Sequence, residues 1–199
     1  MNKLVICIDV DGVLNDLMEK TIVMYNNKYN AHLSLEDFPD YDIFKDLPYD
    51  DAEKLLALWQ EEELWNSLEP RKGSQRSVKR LVDDGHEVYF ATATHHKNFS
   101  WKVEWLQHYF GMVPAKHIIC IGNKGLLNCD VLIDDCVDNL LANKLCHRVL
   151  LNCCWNQQVR DDVHLITRVH NWDEIIKAIN VINSRNLVCL IKLISFESN

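Results

Sequence analysis

The sequence is short of basic charge, has no C-x-x-C pair and holds no apolar run long enough to cross a bilayer. Lysine and arginine number 21 against 29 aspartates and glutamates, a net charge of -8 with the histidines neutral. That balance argues against a broad nucleic-acid surface, because phosphate backbones need clustered cations. It leaves room for a single nucleotide held in a metal-lined pocket. The eight cysteines lack the paired spacing of a zinc site. Cys7 and Cys120 lie in apolar runs, and adjacent Cys153 and Cys154 make an awkward disulfide. The expectation is reduced thiols in a cytoplasmic protein. Residues 1–8 are too short and run too soon into acidic residues to read as a secretory signal. Residues 187–196 are too short for a span and contain Lys192, so no membrane association is expected. Internal repeats and low-complexity segments are also missing.

What is there is an ordinary globular composition, 48% hydrophobic and 25% charged over 199 residues. The length suits one domain with a subdomain. Residues 3–8 (KLVICI) form a continuous branched run, the mark of a strand buried on both faces. A helical pattern follows over about 14–29, then irregular sequence to 52, with a second helical pattern over 49–64. An amphipathic stretch at 74–84 stops at Gly85. Further strands are expected at 86–91, 117–121, 131–133 and 148–152, with helices at about 100–110 and 173–181. Strands alternating with helices predict an α/β fold with a mostly parallel sheet flanked by helices, and ligands bound beyond the strands' carboxyl ends. The chain between the first two strands is far longer than a crossover needs, so 15–69 reads as an inserted helical cap.

The sharpest feature is Asp9-Val10-Asp11-Gly12-Val13-Leu14, directly after the first strand. Asp134-Asp135 follows another apolar strand. Taken singly, such aspartates are ordinary turn formers and helix caps. Two pairs at two strand ends, with Thr92 at a third and Lys124 between, form a carboxylate cluster that demands a cation. Oxygen ligands and phosphate chemistry favour Mg²⁺.

These motifs resemble those of the haloacid dehalogenase (HAD) superfamily. The DVDGVL run matches the first motif, Thr92 the second, Lys124 in Ile121-Gly122-Asn123-Lys124 the third, and Leu132-Ile133-Asp134-Asp135 the fourth. More narrowly, the chain resembles the 5′(3′)-deoxyribonucleotidases and their bacterial relatives. Trp59 and Trp65 leading into Leu68-Glu69-Pro70, the Trp105 to Gly111 run and Trp172 carry that likeness, which covers about residues 4–180. The resemblance implies a Rossmann-like HAD core at 1–14 and 70–183, the small helical cap at 15–69, and an extension of unassigned role at 184–199.

It also implies roles. Asp9 is the nucleophile and forms an aspartyl-phosphate. Asp11 is the general acid and base. Magnesium is held by Asp9, the Asp11 carbonyl and Asp135, with Asp134 outer-sphere or bonded to Lys124. Thr92, the Ala93 backbone, Lys124 and Lys102 bind the phosphate. Two departures touch substrate preference: Cys136 stands where relatives often carry a basic residue, and Ala93 where Ser is usual.

In the cap, Phe44 and Trp65 either stack on a base or pack as core, with Trp59 the weaker stacking candidate. Tyr41 and Asp42 precede Phe44 and can reach a base edge. His95 and His96 read as rim residues. Asp16 reads as a helix-start residue. The apolar tail admits an edge strand, a subunit contact such as a homodimer, or an aggregation-prone segment. The function expected is a Mg²⁺-dependent phosphomonoesterase, a nucleotidase acting on a small phosphorylated substrate such as a nucleoside monophosphate. A phosphatase for another phosphoester such as a sugar phosphate, and an idle metal-binding or interaction protein on this fold, are the alternatives.

Overall fold

The computed structural model describes residues 3–42, 45 and 47–197, with side chains through residue 184. Its strands are β1 (Val5–Ile8), β2 (Glu87–Thr92), β3 (Ile118–Cys120), β4 (Val131–Asp134), β5 (His147–Leu151) and β6 (Ile166–Val169). All pair in parallel, in the order β3-β2-β1-β4-β5-β6. The chain order runs outward in both directions from β1, so the switch point of the sheet lies between β1 and β4. Ligands bind at that point in such folds.

Alternation along the strands sorts the two faces. Ile6, Ile8, Val88, Phe90, Val131 and Ile133 form one apolar cluster with side chains of α4 (Ser74–Asp83), α5 (His96–Phe110) and α8 (Trp172–Glu197). Cys7, Leu132 and Leu150 fall in a second cluster with Leu140 of α6 (Val137–Ala142). Both faces are covered, which is why the strands read as unbroken apolar runs. A short α7 (Asp161–His164) precedes β6.

Residues between β1 and β2 form α1 (Leu17–Tyr29), α2 (Tyr49–Leu58) and α3 (Glu62–Ser67). Met18, Ile22, Tyr25, Phe38, Leu55 and Leu58 make a cluster of their own there. The outgoing and returning connections lie side by side. Asn15 and Pro70 form an antiparallel bridge. The Arg71 N–H donates to the Leu14 carbonyl at 2.7 Å. Two tryptophans fasten these connections: Trp172 Nε1 donates to the Val13 carbonyl at 3.1 Å, and Trp105 Nε1 to the Leu68 carbonyl at 3.1 Å.

Several elements differ from the sequence-based expectation. The pattern over 49–64 is two helices, because the chain turns at Trp59 and sends Leu55 and Leu58 to this separate cluster but Leu64 and Trp65 to the main core. Helix α5 begins four residues early, in a polar first turn without apolar periodicity; its N-cap His95 ring accepts from the Lys97 N–H at 3.4 Å. Strand β6 is unforeseen because its interior holds Arg168, whose guanidinium is neutralised by Asp161 at 2.8 Å. The last helix runs on to Glu197 rather than ending near 181, so residues 184–197 continue a helix rather than add an edge strand. No glycine or proline interrupts it. No helix among the described residues is long and apolar enough to cross a membrane.

Candidate active site

The register of the sheet decides which side chains meet. Ile8 of β1 is level with Phe90 of β2 and Ile133 of β4. Asp9, Thr92 and Asp134 therefore emerge at one edge, each within two residues of a shared level. The Asp9 N–H donates to the Ile133 carbonyl at 2.9 Å and carries the pairing one residue past the strand. Asp9, Asp134 and Asp135 are all buried.

The loop after Asp9 is held by its own residues. Gly12 has φ +75°, and a Cβ there would stand 2.2 Å from Asp135 Oδ2. Only glycine lets the Asp135 carboxylate close against this turn. The buried Asn15 accepts from the N–H groups of Gly12 and Leu17 at 3.3 and 3.2 Å, and its amide donates to Asp11 Oδ1 at 3.1 Å. Asn15 thus sets the direction of Asp11. Arg71 Nε donates to the Gly12 carbonyl at 2.5 Å from the other side. Asp16 stands at the start of α1 without capping it; its carboxylate accepts from the Glu69 N–H at 2.9 Å.

Two buried lysines divide the four carboxylates. Lys124 Nζ bonds Asp9 Oδ1, and reaches Asp134 Oδ2 at 2.6 Å. Lys102, from α5, bonds Asp11 Oδ2 and donates to Thr92 Oγ1 at 2.9 Å. Asp134 is fully engaged, since its Oδ1 accepts from the Cys136 N–H at 2.9 Å and the Asn139 amide at 3.2 Å. It serves as an anchor for Lys124. Asp135 differs: its Oδ1 is buried with no partner.

The charges do not balance. Four carboxylates face two ammonium groups, a deficit of two positive charges. Burial first, then the neighbouring carboxylates, push Asp135 well above the usual range against the pull of Lys124. Asp9 is pushed up to about 7, chiefly by burial and by Asp134 and Asp11, with Lys124 opposing. Burial alone would lower Lys124, but Asp9 and Asp134 outweigh it and raise it. Among the described residues, Asp9, Asp134 and Asp135 can each bring one oxygen within 4.8 Å of the others. An oxygen-only donor set, an orphaned carboxylate oxygen and a missing double positive charge fit Mg²⁺. Asp11 is outside that trio because its carboxylate turns to Lys102 and Asn15.

Next to this centre lies a cavity of about 650 Å³. Asp11, Gly12, Lys102 and Asp135 border its acidic end, and Leu17, Met18, Leu56, Trp59, Trp65 and Trp155 give apolar wall. Ala93 and His95 also border it, His95 at the rim as expected. Trp65 combines both readings offered for it. It is buried in the main core, its Nε1 donating to the Trp59 carbonyl at 3.0 Å, and still borders the cavity. Lys102 Nζ lies 5.3 Å from its ring centroid. Trp59 also borders the cavity while its Nε1 donates to Thr21 Oγ1 at 3.0 Å. Tyr41 is half exposed and borders the cavity, and burial, then Asp9 and Asp135, raise its phenol. Phe44 lies outside the described residues. Asn15, Asn98 and Trp155 were not singled out by the sequence; Asn15, four positions after Asp11, carried the one available signal, a polar residue just before an apolar helix start.

The family model described as "5' nucleotidase, deoxy (Pyrimidine), cytosolic type C protein" matches residues 3–187. A 5'(3')-deoxyribonucleotidase of Bacillus subtilis is 33% identical over 175 residues, covering 87% of this chain and 96% of the relative. The human mitochondrial 5'(3')-deoxyribonucleotidase is 26% identical, covering 87% of this chain and 81% of its own length. Among solved structures, a HAD family hydrolase of Deinococcus radiodurans R1, with bound phosphate and sodium, superposes with a TM-score of 0.63 at 13% identity. It covers 90% of this chain and 96% of that one, a likeness of fold.

Proposed function

The chain belongs to the deoxyribonucleotidase family of HAD phosphohydrolases, and on that premise we propose that it dephosphorylates nucleoside monophosphates, deoxyribonucleotides foremost, through an aspartyl-phosphate on Asp9. The observation that carries the reading is the pairing of two unlike ends in one cavity: a buried acid–lysine centre, and walls of Trp59, Trp65, Trp155 and aliphatic side chains. A nucleobase offers flat apolar faces to such walls, whereas a sugar phosphate would ask for hydroxyl partners along them. Residues 15–69 act as the cap that supplies this wall.

In the proposed reaction an Asp9 oxygen attacks phosphorus as the ester P–O bond breaks. Asp11 gives its proton to the leaving oxygen. Asp11 then takes a proton from the water that attacks the aspartyl-phosphate, releasing phosphate and freeing Asp9. Lys102 and Asn15 fix where Asp11 points. Thr92 and the Ala93 backbone hold phosphoryl oxygens, and Lys124 tempers the charge on Asp9 so that two anions can approach. Asp9, Asp135 and the Asp11 carbonyl would hold Mg²⁺, which supplies Lewis-acid neutralisation of the phosphoryl charge.

The test of function is a kinetic screen of nucleoside monophosphates beside sugar phosphates. The expected result is a higher kcat/KM on nucleotides, deoxyribonucleotides above ribonucleotides. A preference for sugar phosphates would overturn the nucleotidase reading.

The metal has a separate test in thermal stability. Folded-state pKa values raised above the unfolded ones favour the protonated forms. Without cation, stability is therefore present at low pH and is lost as pH rises from the ordinary carboxylate range, about 4, through about 7. Bound Mg²⁺ favours the ionised forms. MgCl₂ at about a hundred times its Kd should add about 2.7 kcal/mol, on the order of 5 °C in Tm, near pH 8, and much less near pH 5. Equal gains at both pH values, or none, would count against a magnesium site at Asp9 and Asp135.

A further inference from the structure

Asn98 is a buried polar side chain that the reaction just described leaves without a task. It is only 4% exposed, its Oδ1 has no hydrogen-bond partner, and it borders the 650 Å³ cavity. The unpartnered atom is the carbonyl end of the side chain, Oδ1. An amide oxygen kept at such a position without a partner is unfavourable in the free protein, because burial strips its water and nothing replaces it. An apolar residue of the same size would sit there at lower cost.

Its place on α5 says what it faces. Asn98 precedes Lys102 by four residues, so the two lie on one face of the helix, about one turn apart. Lys102 marks the phosphate end, bonded to Asp11 and Thr92. Asn98 stands one turn nearer the amino end of the helix, where Ala93 and His95 also border the cavity. In a nucleoside monophosphate the group next to the phosphoryl group is the sugar. A sugar hydroxyl both donates and accepts, so it can pair with either end of an amide.

We infer that Asn98 is a specificity-determining residue that hydrogen-bonds the sugar of the bound nucleotide, an inference that rests on the nucleotidase reading. Binding supplies the partner the buried amide lacks, and a substrate without a sugar forgoes that contact.

The experiment compares wild type with Asn98→Leu on three substrates: a deoxyribonucleoside 5′-monophosphate, 2-deoxyribose 5-phosphate and p-nitrophenyl phosphate. Asn98→Ala repeats it with a side chain that cannot collide. For both variants, kcat/KM on the nucleotide and on the sugar phosphate should fall about tenfold relative to that on p-nitrophenyl phosphate, mainly through KM. The Tm of Asn98→Leu should stay level or rise, as replacing an unpartnered buried amide predicts. Loss in equal proportion on all three substrates, or no loss, would overturn the assignment. A penalty confined to the nucleotide would move the contact from the sugar to the base and overturn it as well. Wild-type enzyme that hydrolyses p-nitrophenyl phosphate but no nucleotide would instead sink the nucleotidase reading, and the sugar contact with it.

Discussion

Asp9→Asn should lower phosphate release by about four orders of magnitude or more while leaving the protein folded. The argument is chemical first. An amide of the same shape has no anionic oxygen to attack phosphorus, and no other described carboxylate can substitute. Asp134 is held by Lys124, the Cys136 N–H and Asn139. Asp11 is tied to Lys102 and Asn15. Asp135 has a free oxygen, but in the proposed site that oxygen is committed to the metal. The argument is then electrostatic. Asp9 is buried, and its carboxyl is pushed up to about 7 by that burial and by its acidic neighbours. Removing its charge relieves repulsion in the metal-free protein, so Tm should hold or rise. In the proposed metal site the same change also takes away a ligand, so the Tm gain from MgCl₂ should shrink. Residual turnover within about tenfold of wild type would sink the covalent mechanism. Unfolding at low temperature would show that Asp9 is needed for the fold instead.

That prediction draws on residues legible in the sequence, and the reason is geometric. Parallel strands put their carboxyl ends on one edge, so chemical residues just after apolar runs must converge there. Asp9, Thr92 and Asp134 are legible in the sequence on that ground. Asn15, Asn98 and Trp155 are not. Each owes its position to a contact between segments distant in sequence, or to a helix face whose direction only packing decides. Asn98 lies in the polar first turn of α5, where no periodicity marks a buried side. Trp155 follows β5 in a short 3-10 turn and reaches within 3.5 Å of a Cβ built on Gly12, more than a hundred residues earlier. Strand β6 was hidden by Arg168, which binds Asp161 and Asn156 rather than solvent. The long insertion between β1 and β2 is legible from its length, but the turn at Trp59 that sends α3 toward the core is not, because that turn has no glycine or proline to announce it.

Lys124→Met should cost the fold more than any other single change in the site. The Lys124 side chain is 1% exposed, and its ammonium lies between Asp9 and Asp134, which are themselves buried. Removing one member of a buried ionic group leaves the others uncompensated, typically at about 3–5 kcal/mol. For a chain of this size that is roughly 10 °C in Tm. The raised pKa of Lys124, despite burial that would lower it, shows how strongly its two partners hold the charge. Activity will vanish too, but lost activity does not distinguish a catalytic role from a structural one. The discriminating measurement is a double-mutant cycle with Asp9→Asn, read by chemical denaturation without metal. Once Asp9 is neutral, deleting Lys124 strands one buried carboxylate rather than two. The double variant should therefore be more stable than the sum of the single changes predicts, by about 1–3 kcal/mol. The Tm gain from MgCl₂ should also grow in Lys124→Met, because a divalent cation then offers the only remaining neutralisation of Asp9 among the groups described. Strict additivity, or a Lys124→Met cost below about 1 kcal/mol, would mean that the ammonium and the carboxylates are not coupled. The charge-balance account of the site would then fail with it.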